Sequence, residues 1–281
     1  MDIIRIAAFA DGAAGGNPAG VVLSGALPPA SDMQRIAREI GYSETAFAAP
    51  QGDGWRVRYF APEIEVPFCG HATIALGTAL GRRHGAGRYP LALNDAEIAV
   101  EAEERSGRWS ATLTSPPARS VPLDPELTAG LLDLFGLDRA ALDPALPPTL
   151  GWTGPRHAIL ALRDRAALAA MSYPFETLRD LMRGEDLTTI MLIHVEGPTR
   201  FVARNAFAIG GVVEDPATGA AAAALGGALV DLDWPALRGG GGFVIRQGED
   251  MGAPSRLNVT VTGTRGDPVR VSGTARMIEA P

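Results

Sequence analysis

The chain has 281 residues, 46% of them hydrophobic and 20% charged, a globular composition rather than a disordered one. Its formal net charge of −7 argues against an extended nucleic-acid surface, while leaving room for a small cationic site. A single cysteine excludes an internal disulfide and fits a reducing compartment. The opening Met1-Asp2-Ile3-Ile4-Arg5 has no basic segment leading into a long apolar run, so no signal peptide is expected. Gly219 to Val230 is too short and too rich in small residues to span a membrane. The expectation is a cytoplasmic protein that binds neither membrane nor nucleic acid.

Ile3 to Phe9 reads as a strand, Asp11 to Gly20 as a Gly-rich loop, and Val21 to Leu23 as a short strand. The loop lacks the Lys-Ser/Thr ending of a phosphate loop and any Gly-x-Gly-x-x-Gly before a helix, so nucleotide binding is not expected there. Ser31 to Ile40 predicts a helix, with Ser31 as N-cap, Gln34 three residues on, Gly41 as stop, and Met33, Ile36, Ala37 and Ile40 on one face. Tyr42 to Phe47 leads into a strand whose partner is Trp55 to Phe60, and Pro62 to Phe68 is extended. Glu97–Glu104 and Trp109–Ser115 predict a hairpin around Ser106-Gly107. The Pro-rich tract beginning at Pro116-Pro117 marks a domain boundary.

Pro125 to Phe135 predicts a helix capped by Asp124 and stopped by Gly136. Strands are expected at 158–162, 189–195, 200–207, 243–247, 256–262 and 269–277, and helices at 164–171 and 175–182. Hairpins and meanders dominate and helices are few. That predicts an α+β fold of curved, mostly antiparallel sheet, not a doubly wound parallel one.

Two segments stand apart because they resemble each other. Phe60-Ala61-Pro62 leads to Cys69-Gly70-His71-Ala72-Thr73 and an almost uncharged stretch to Leu80. Phe207-Ala208-Ile209 leads to Asp215-Pro216-Ala217-Thr218-Gly219-Ala220 and a similar stretch to Leu229. A helix that is apolar all round must be buried, so two such helices predict two lobes built alike. The start of each helix, with unpaired N–H groups and the positive end of the helix dipole, can hold an anion. His71 or Asp215 beside it could move a proton. Asp215-Pro216 also reads as an N-cap followed by Pro at the first helical position, and Glu44 as a solvated carboxylate at a strand edge.

Several strings taken together carry a resemblance to a known family: Gly16-Asn17-Pro18-Ala19-Gly20, Ser43-Glu44-Thr45-Ala46-Phe47, Cys69-Gly70-His71-Ala72-Thr73, Glu214-Asp215-Pro216-Ala217-Thr218-Gly219, and Gln247-Gly248 with Met251-Gly252. In order and spacing, over nearly the whole chain, they resemble the phenazine biosynthesis PhzF-like isomerases of the diaminopimelate epimerase superfamily. The resemblance implies a biosynthetic, cofactor-independent and metal-free isomerase. It would have two similar lobes, 1–116 and 117–281, each a sheet barrel around a buried helix, with the chain end free to pack back on the first lobe. A cleft between the lobes and a homodimer are also implied. It places the acid/base glutamate at Glu44, the assisting aspartate at Asp215 and the family histidine at His71. The carboxylate-binding helix starts fall at Gly70 and Gly219, and a shaping or substrate-contact position at Asn17. Ala220 stands where a Ser is usual and keeps only the backbone N–H, and Ala253 stands where an Arg is often found.

The implied chemistry is proton movement on a small carboxylic acid. Two alternatives stay open. Cys69 in Cys-Gly-His-x-Thr also resembles the first cysteine motif of proline racemase-type proteins, and a thiolate at a helix start can take an α-proton. A two-thiol racemase needs a second cysteine, which this chain lacks, and a small buried residue before the helix is the favoured reading of Cys69. A non-catalytic protein that binds small acids is the other alternative. His84, His157 and His194 show no metal-ligand spacing. Arg204-Asn205 reads either as a substrate contact or as a cross-sheet ion pair.

Overall fold

The structure, a computed structural model, describes residues 2–279. In chain order its main elements are β1 (Ile4–Ala8), β2 (Asn17–Leu23), α1 (Ala30–Ile40), β3 (Glu44–Gln51), β4 (Gly54–Phe60), β5 (Glu65–Val66), α2 (Gly70–His84), β6 (Gly87–Ala92), β7 (Glu97–Arg105), β8 (Arg108–Pro117) and β9 (Arg119–Pro122). They continue with α3 (Pro125–Leu134), β10 (Thr149–Trp152), β11 (Arg156–Leu162), α4 (Arg165–Ala169), α5 (Phe175–Gly184), β12 (Thr189–Gly197), β13 (Arg200–Ala206), α6 (Gly219–Asp231), β14 (Gly241–Gln247), β15 (Ser255–Val261) and β16 (Pro268–Met277). The chain divides into one unit made of the residues up to Thr114 and from Ser272 on, and a second unit, Ser115–Val271. Strands β8 and β16 each run through that division. No helix among the described residues is long and apolar enough to cross a membrane.

In the first unit the strand order β1-β2-β3-β4-β6-β7-β8-β16, with β16 paired back to β1, closes an eight-stranded barrel. Most pairings are antiparallel; β2–β3 and β4–β6 are parallel. Helix α2 fills the barrel and is buried from Gly70 to Gly81. Its sequence explains the fit. Every face meets sheet, so small and apolar residues occupy every face. A Cβ on Gly77 would lie 2.5 Å from Val100 Cγ2, and one on Gly81 2.4 Å from the Trp109 ring. Outside the barrel, α1 lays Met33, Ile36 and Ala37 onto Val22, Phe47 and Phe60. The helix starts earlier than the Ser31 cap predicts. Asp32 and Met33 donate their N–H groups to the Pro29 carbonyl, so Pro29 is the N-cap and no side chain caps it. Gly41, at φ +71°, ends the helix as expected.

In the second unit the order is β16-β15-β14-β13-β12-β11-β10-β9, with β11–β12 and β13–β14 parallel. Helix α6 packs on β9, β10, β11 and β15 and is buried from Ala221 to Leu229. Gly227 permits that approach, since a Cβ there would lie 2.5 Å from Ala118 Cβ. The opposite face of the sheet packs Leu160, Leu162, Ile190, Leu192 and Val202 against residues of α3, α4 and α5, including Leu131, Leu168, Leu178 and Met182. Asp124 caps α3 by accepting from the N–H groups of Glu126 and Leu127. Each unit is thus a curved sheet with a helix against its inner face whose buried stretch carries no charged residue, the α+β class expected from the sequence.

Strands β6, β9 and β10 were not expected from local pattern. Gly-Arg-Tyr-Pro-Leu-Ala in β6 has neither clean alternation nor β-branched residues; pairing with β7 and β4 on its two sides holds it extended.

Candidate active site

In the first unit the parallel register pairs Glu44 with Ala19. Alternation along β3 then fixes the faces. Phe47 packs outward under α1, so Glu44, Ala46 and Ala48 face the barrel interior. Tyr59, the register partner of Ala46, shares that interior. Its hydroxyl meets Thr73 Oγ1 of α2 at 2.6 Å, and burial holds its pKa well above the usual phenol value. Glu44 is 9% exposed, which removes the reading of a solvated strand-edge carboxylate. Asn17 is expected in a loop, but it opens β2 opposite Ala8 and is buried. It lies two residues before Ala19, on the same strand face as the register partner of Glu44.

Cys69 is the N-cap of α2, in extended conformation, and no side chain caps the helix start. The first-turn N–H groups, Gly70 and His71 among them, have no partner within the helix and can hold an anion. Thr73 steadies the turn by donating its N–H and its hydroxyl to the Cys69 carbonyl at 3.0 and 2.7 Å. His71 Nε2 lies 3.4 Å from Glu44 Oε2 and 3.4 Å from Ser43 Oγ, and its Nδ1 lies 3.3 Å from Cys69 Sγ. The imidazole therefore stands between a carboxyl group and a thiol. The contact to Glu44 lacks hydrogen-bond alignment, and Oε2 is buried without a hydrogen-bond partner among the described residues. A buried carboxylate oxygen without a hydrogen-bond partner, beside a helix start, is chemically able to accept a proton.

The second unit holds Asp215, Gly219 and Ala220. Asp215 does not cap α6. The helix starts at Gly219 with Thr218 as its N-cap. The reason is tertiary. Gln247 of β14 donates from Nε2 to the Asp215 carbonyl at 2.6 Å, and its Oε1 accepts from the Thr218 N–H at 3.4 Å, which holds 215–218 as a turn outside the helix. The Asp215 carboxyl accepts from the Thr218 hydroxyl, and the Asp215 N–H donates to the Asn205 carbonyl at 3.0 Å. Gly248, at φ +78°, lets the 248–253 turn approach Pro216; a Cβ there would lie 2.3 Å from the Ala253 carbonyl oxygen. Gly219 is buried and Ala220 half-buried at the first turn of α6, which again carries no side-chain cap.

Of the two readings of Arg204, the ion pair is what the structure contains. Its guanidinium donates to both oxygens of the buried Glu214, from Nε at 3.1 and 3.2 Å, and from Nη1 to the Ala169 carbonyl at 2.7 Å. Those bonds raise the Arg204 pKa although burial pulls the other way. His157 is buried and hydrogen-bonded to Thr189 Oγ1 at 2.7 Å; His194 bonds the Leu162 carbonyl. Sequence reasoning assigned no individual role to Ser43, Thr218 or Gln247. All three fall inside the motif strings, and only the fold shows what each touches.

The sequence model of the PhzC-PhzF family, described as phenazine biosynthesis-like protein, matches residues 6–280. An uncharacterized isomerase of Deinococcus radiodurans is 33% identical over 96% of this chain and 91% of its own length. The trans-2,3-dihydro-3-hydroxyanthranilate isomerase of Pseudomonas aeruginosa is 32% identical over 96% of this chain and 94% of its own. Among solved structures, a PhzF-family phenazine biosynthesis protein of Bacillus anthracis superposes with a TM-score of 0.87 at 23% identity. That match covers 99% of this chain and 96% of the other.

Proposed function

Since the chain belongs to the phenazine biosynthesis-like PhzC-PhzF family of isomerases, we propose that Glu44 is the acid/base group that moves a proton on a small carboxylic acid. The observation that carries this reading is the Glu44–His71 pair, buried at the uncapped start of α2 with one carboxylate oxygen unsatisfied. As a carboxylate, Glu44 takes a proton from a substrate carbon; as the acid so formed, it returns that proton to another carbon or to the opposite face. His71, whose Nε2 lies 3.4 Å from that carboxylate, polarises or orients the substrate. The N–H groups of Gly70 and its neighbours bind the substrate carboxylate, and Asn17 shapes the same interior. Asp215 is assigned the assisting role, polarising or orienting the substrate, with the N–H groups at Gly219 and Ala220 as a second anion-holding turn. One relative acts on a dihydro-hydroxyanthranilate, which supports a cyclic acid as the first compound to try. A homodimer and a cytoplasmic location remain part of the proposal.

The test is a screen of small carboxylic acids in heavy water, that compound included, with solvent deuterium incorporation at carbon followed by NMR. Incorporation that falls by about 10²-fold or more in Glu44→Gln, with folding intact, is the expected result. Near-normal exchange in that variant removes Glu44 from the role. Saturable binding of acids with no exchange in the unmodified chain favours the binding-protein alternative.

A further inference from the structure

Glu44, Cys69 and His71 bring a carboxylate, a thiol and an imidazole to one buried spot, each with one donor atom within 4.8 Å of the other two. We propose that this cluster binds a thiophilic divalent cation of the Zn²⁺ kind, and that the bound ion shuts off proton transfer. The second half rests on the assignment of Glu44 as the acid/base group; the first does not.

The donor set is chemically suited to such an ion. Thiolate and imidazole favour Zn²⁺, Cd²⁺ and Co²⁺ over Mg²⁺ and Ca²⁺, and a carboxylate completes a three-ligand set with one position left for water or a substrate oxygen. Tetrahedral bonds of about 2.0–2.3 Å place donors about 3.5 Å apart. The Sγ–Nδ1 and Nε2–Oε2 separations of 3.3 and 3.4 Å already match that spacing. They lie on opposite edges of the ring, however, and one ion takes one ring nitrogen. The donors lie within 4.8 Å of one another, so binding needs the third to close in by about 1 Å to reach that spacing, a movement we assign to the Glu44 side chain. Among the described residues Glu44 Oε2 has no hydrogen bond to give up in that move, only its 3.4 Å approach to His71 Nε2. The helix start opposes a cation but favours the thiolate beside it, and thiolate plus carboxylate offset the charge of the ion. On binding, the Cys69 thiol proton leaves to solvent, the S–H bond being replaced by a metal–sulfur bond with no change of oxidation state. An ion so held ties up the Glu44 oxygen that would otherwise take the substrate proton.

The experiment titrates the metal-free full-length chain with Co²⁺, reading the thiolate-to-cobalt charge-transfer absorption, and with Zn²⁺ by calorimetry. Cys69→Ala and Glu44→Gln are measured alongside, and circular dichroism verifies that each is folded. One ion per chain is expected, with a charge-transfer band absent in Cys69→Ala and affinity at least about tenfold weaker in both variants. Excess Mg²⁺ does not compete. In the unmodified chain, deuterium exchange falls in step with Zn²⁺ occupancy and returns on chelation. Absence of the band, or Zn²⁺ affinity unchanged in both variants, overturns the site. Full exchange at full occupancy overturns the inhibition alone. A metal-free chain that exchanges no acid tested counts against the isomerase mechanism, and the binding isotherms still decide the site.

Discussion

Glu214 and Asp215 are adjacent carboxylates with different partners, and the difference predicts different phenotypes. Glu214 is buried against Arg204, and removing one member of a buried pair leaves the other charge uncompensated. Glu214→Gln should therefore lower stability by about 3 kcal/mol in urea unfolding. An unchanged midpoint and slope would mean that the pair does not hold the segment before α6. Asp215 accepts from the Thr218 hydroxyl, while Gln247 grips its backbone. Asp215→Asn retains an acceptor oxygen for that hydroxyl and leaves the backbone bonds untouched. Its stability should stay within about 1 kcal/mol of the unmodified chain, while deuterium exchange into substrate falls by about 10²-fold. A variant that exchanges normally would confine Asp215 to shaping the turn.

Within the helices and strands, two features convert packing into measurable behaviour. The first is α2. Gly to Ala in a helix interior ordinarily gains up to about 1 kcal/mol from propensity. At Gly81 the new methyl would meet the Trp109 ring at 2.4 Å and Ala102 Cβ at 2.7 Å, and overpacking typically costs about 1–3 kcal/mol. Gly81→Ala should thus be destabilising, and a raised melting temperature would show that the barrel yields. The second is the parallel β11–β12 pair, where His157 faces Thr189 in register. Burial pushes the His157 pKa from 6.5 down to about 3. The unfolded chain then binds the proton more readily, so stability rises with pH up to about 6.5 and is level above it with respect to this group. Between pH 6.5 and 5 the loss amounts to about 2 kcal/mol. His157→Gln should flatten that part of the profile in urea unfolding at each pH; an unaltered slope would assign it to other groups. The same elements show what the sequence made legible. The all-round apolar runs of α2 and α6 announced two buried helices, and Gly41 and Asp124 marked helix ends correctly. Pro29 replaced Ser31 as a cap because backbone bonds decide where a first turn closes. Asp215 lost its expected cap role because Gln247, distant in sequence, bonds the 215–218 turn and the helix starts after it. Glu44 and His71 were legible as types within motifs, but their 3.4 Å approach depends on how the start of α2 packs against β3 inside the barrel, which no local pattern encodes.

At the scale of the whole molecule, the first unit is discontinuous in sequence. Its barrel closes only when the residues from Ser272 on pair with β1, through Ile6–Met277, Ala7–Arg276 and Ala8–Ala275. Side-chain bonds reinforce that closure: Thr274 Oγ1 donates to the Ala10 carbonyl at 2.6 Å and Arg276 Nε to the Gly15 carbonyl at 3.0 Å. A fragment ending at Thr114 would leave β1 and β8 as unpaired edges flanking a helix with no polar face, and exposed edges of that kind template aggregation. Removing the residues from Ser272 on should therefore cost the first unit its cooperative unfolding transition and turn the chain aggregation-prone. In the fragment ending at Thr114 the tryptophans that remain are Trp55 and Trp109, so its fluorescence melt isolates the effect. A covalent repair separates lost pairing from mere shortening. Fusing residues 272–279 through a flexible linker ahead of Asp2 restores a partner for β1, because β16 lies antiparallel to it and a short loop can join antiparallel neighbours. The repaired fragment should regain a single transition, since the long-range closure then becomes a local hairpin. If the unrepaired fragment melts cooperatively by itself, strand β16 is an ornament of the barrel rather than its closing stave.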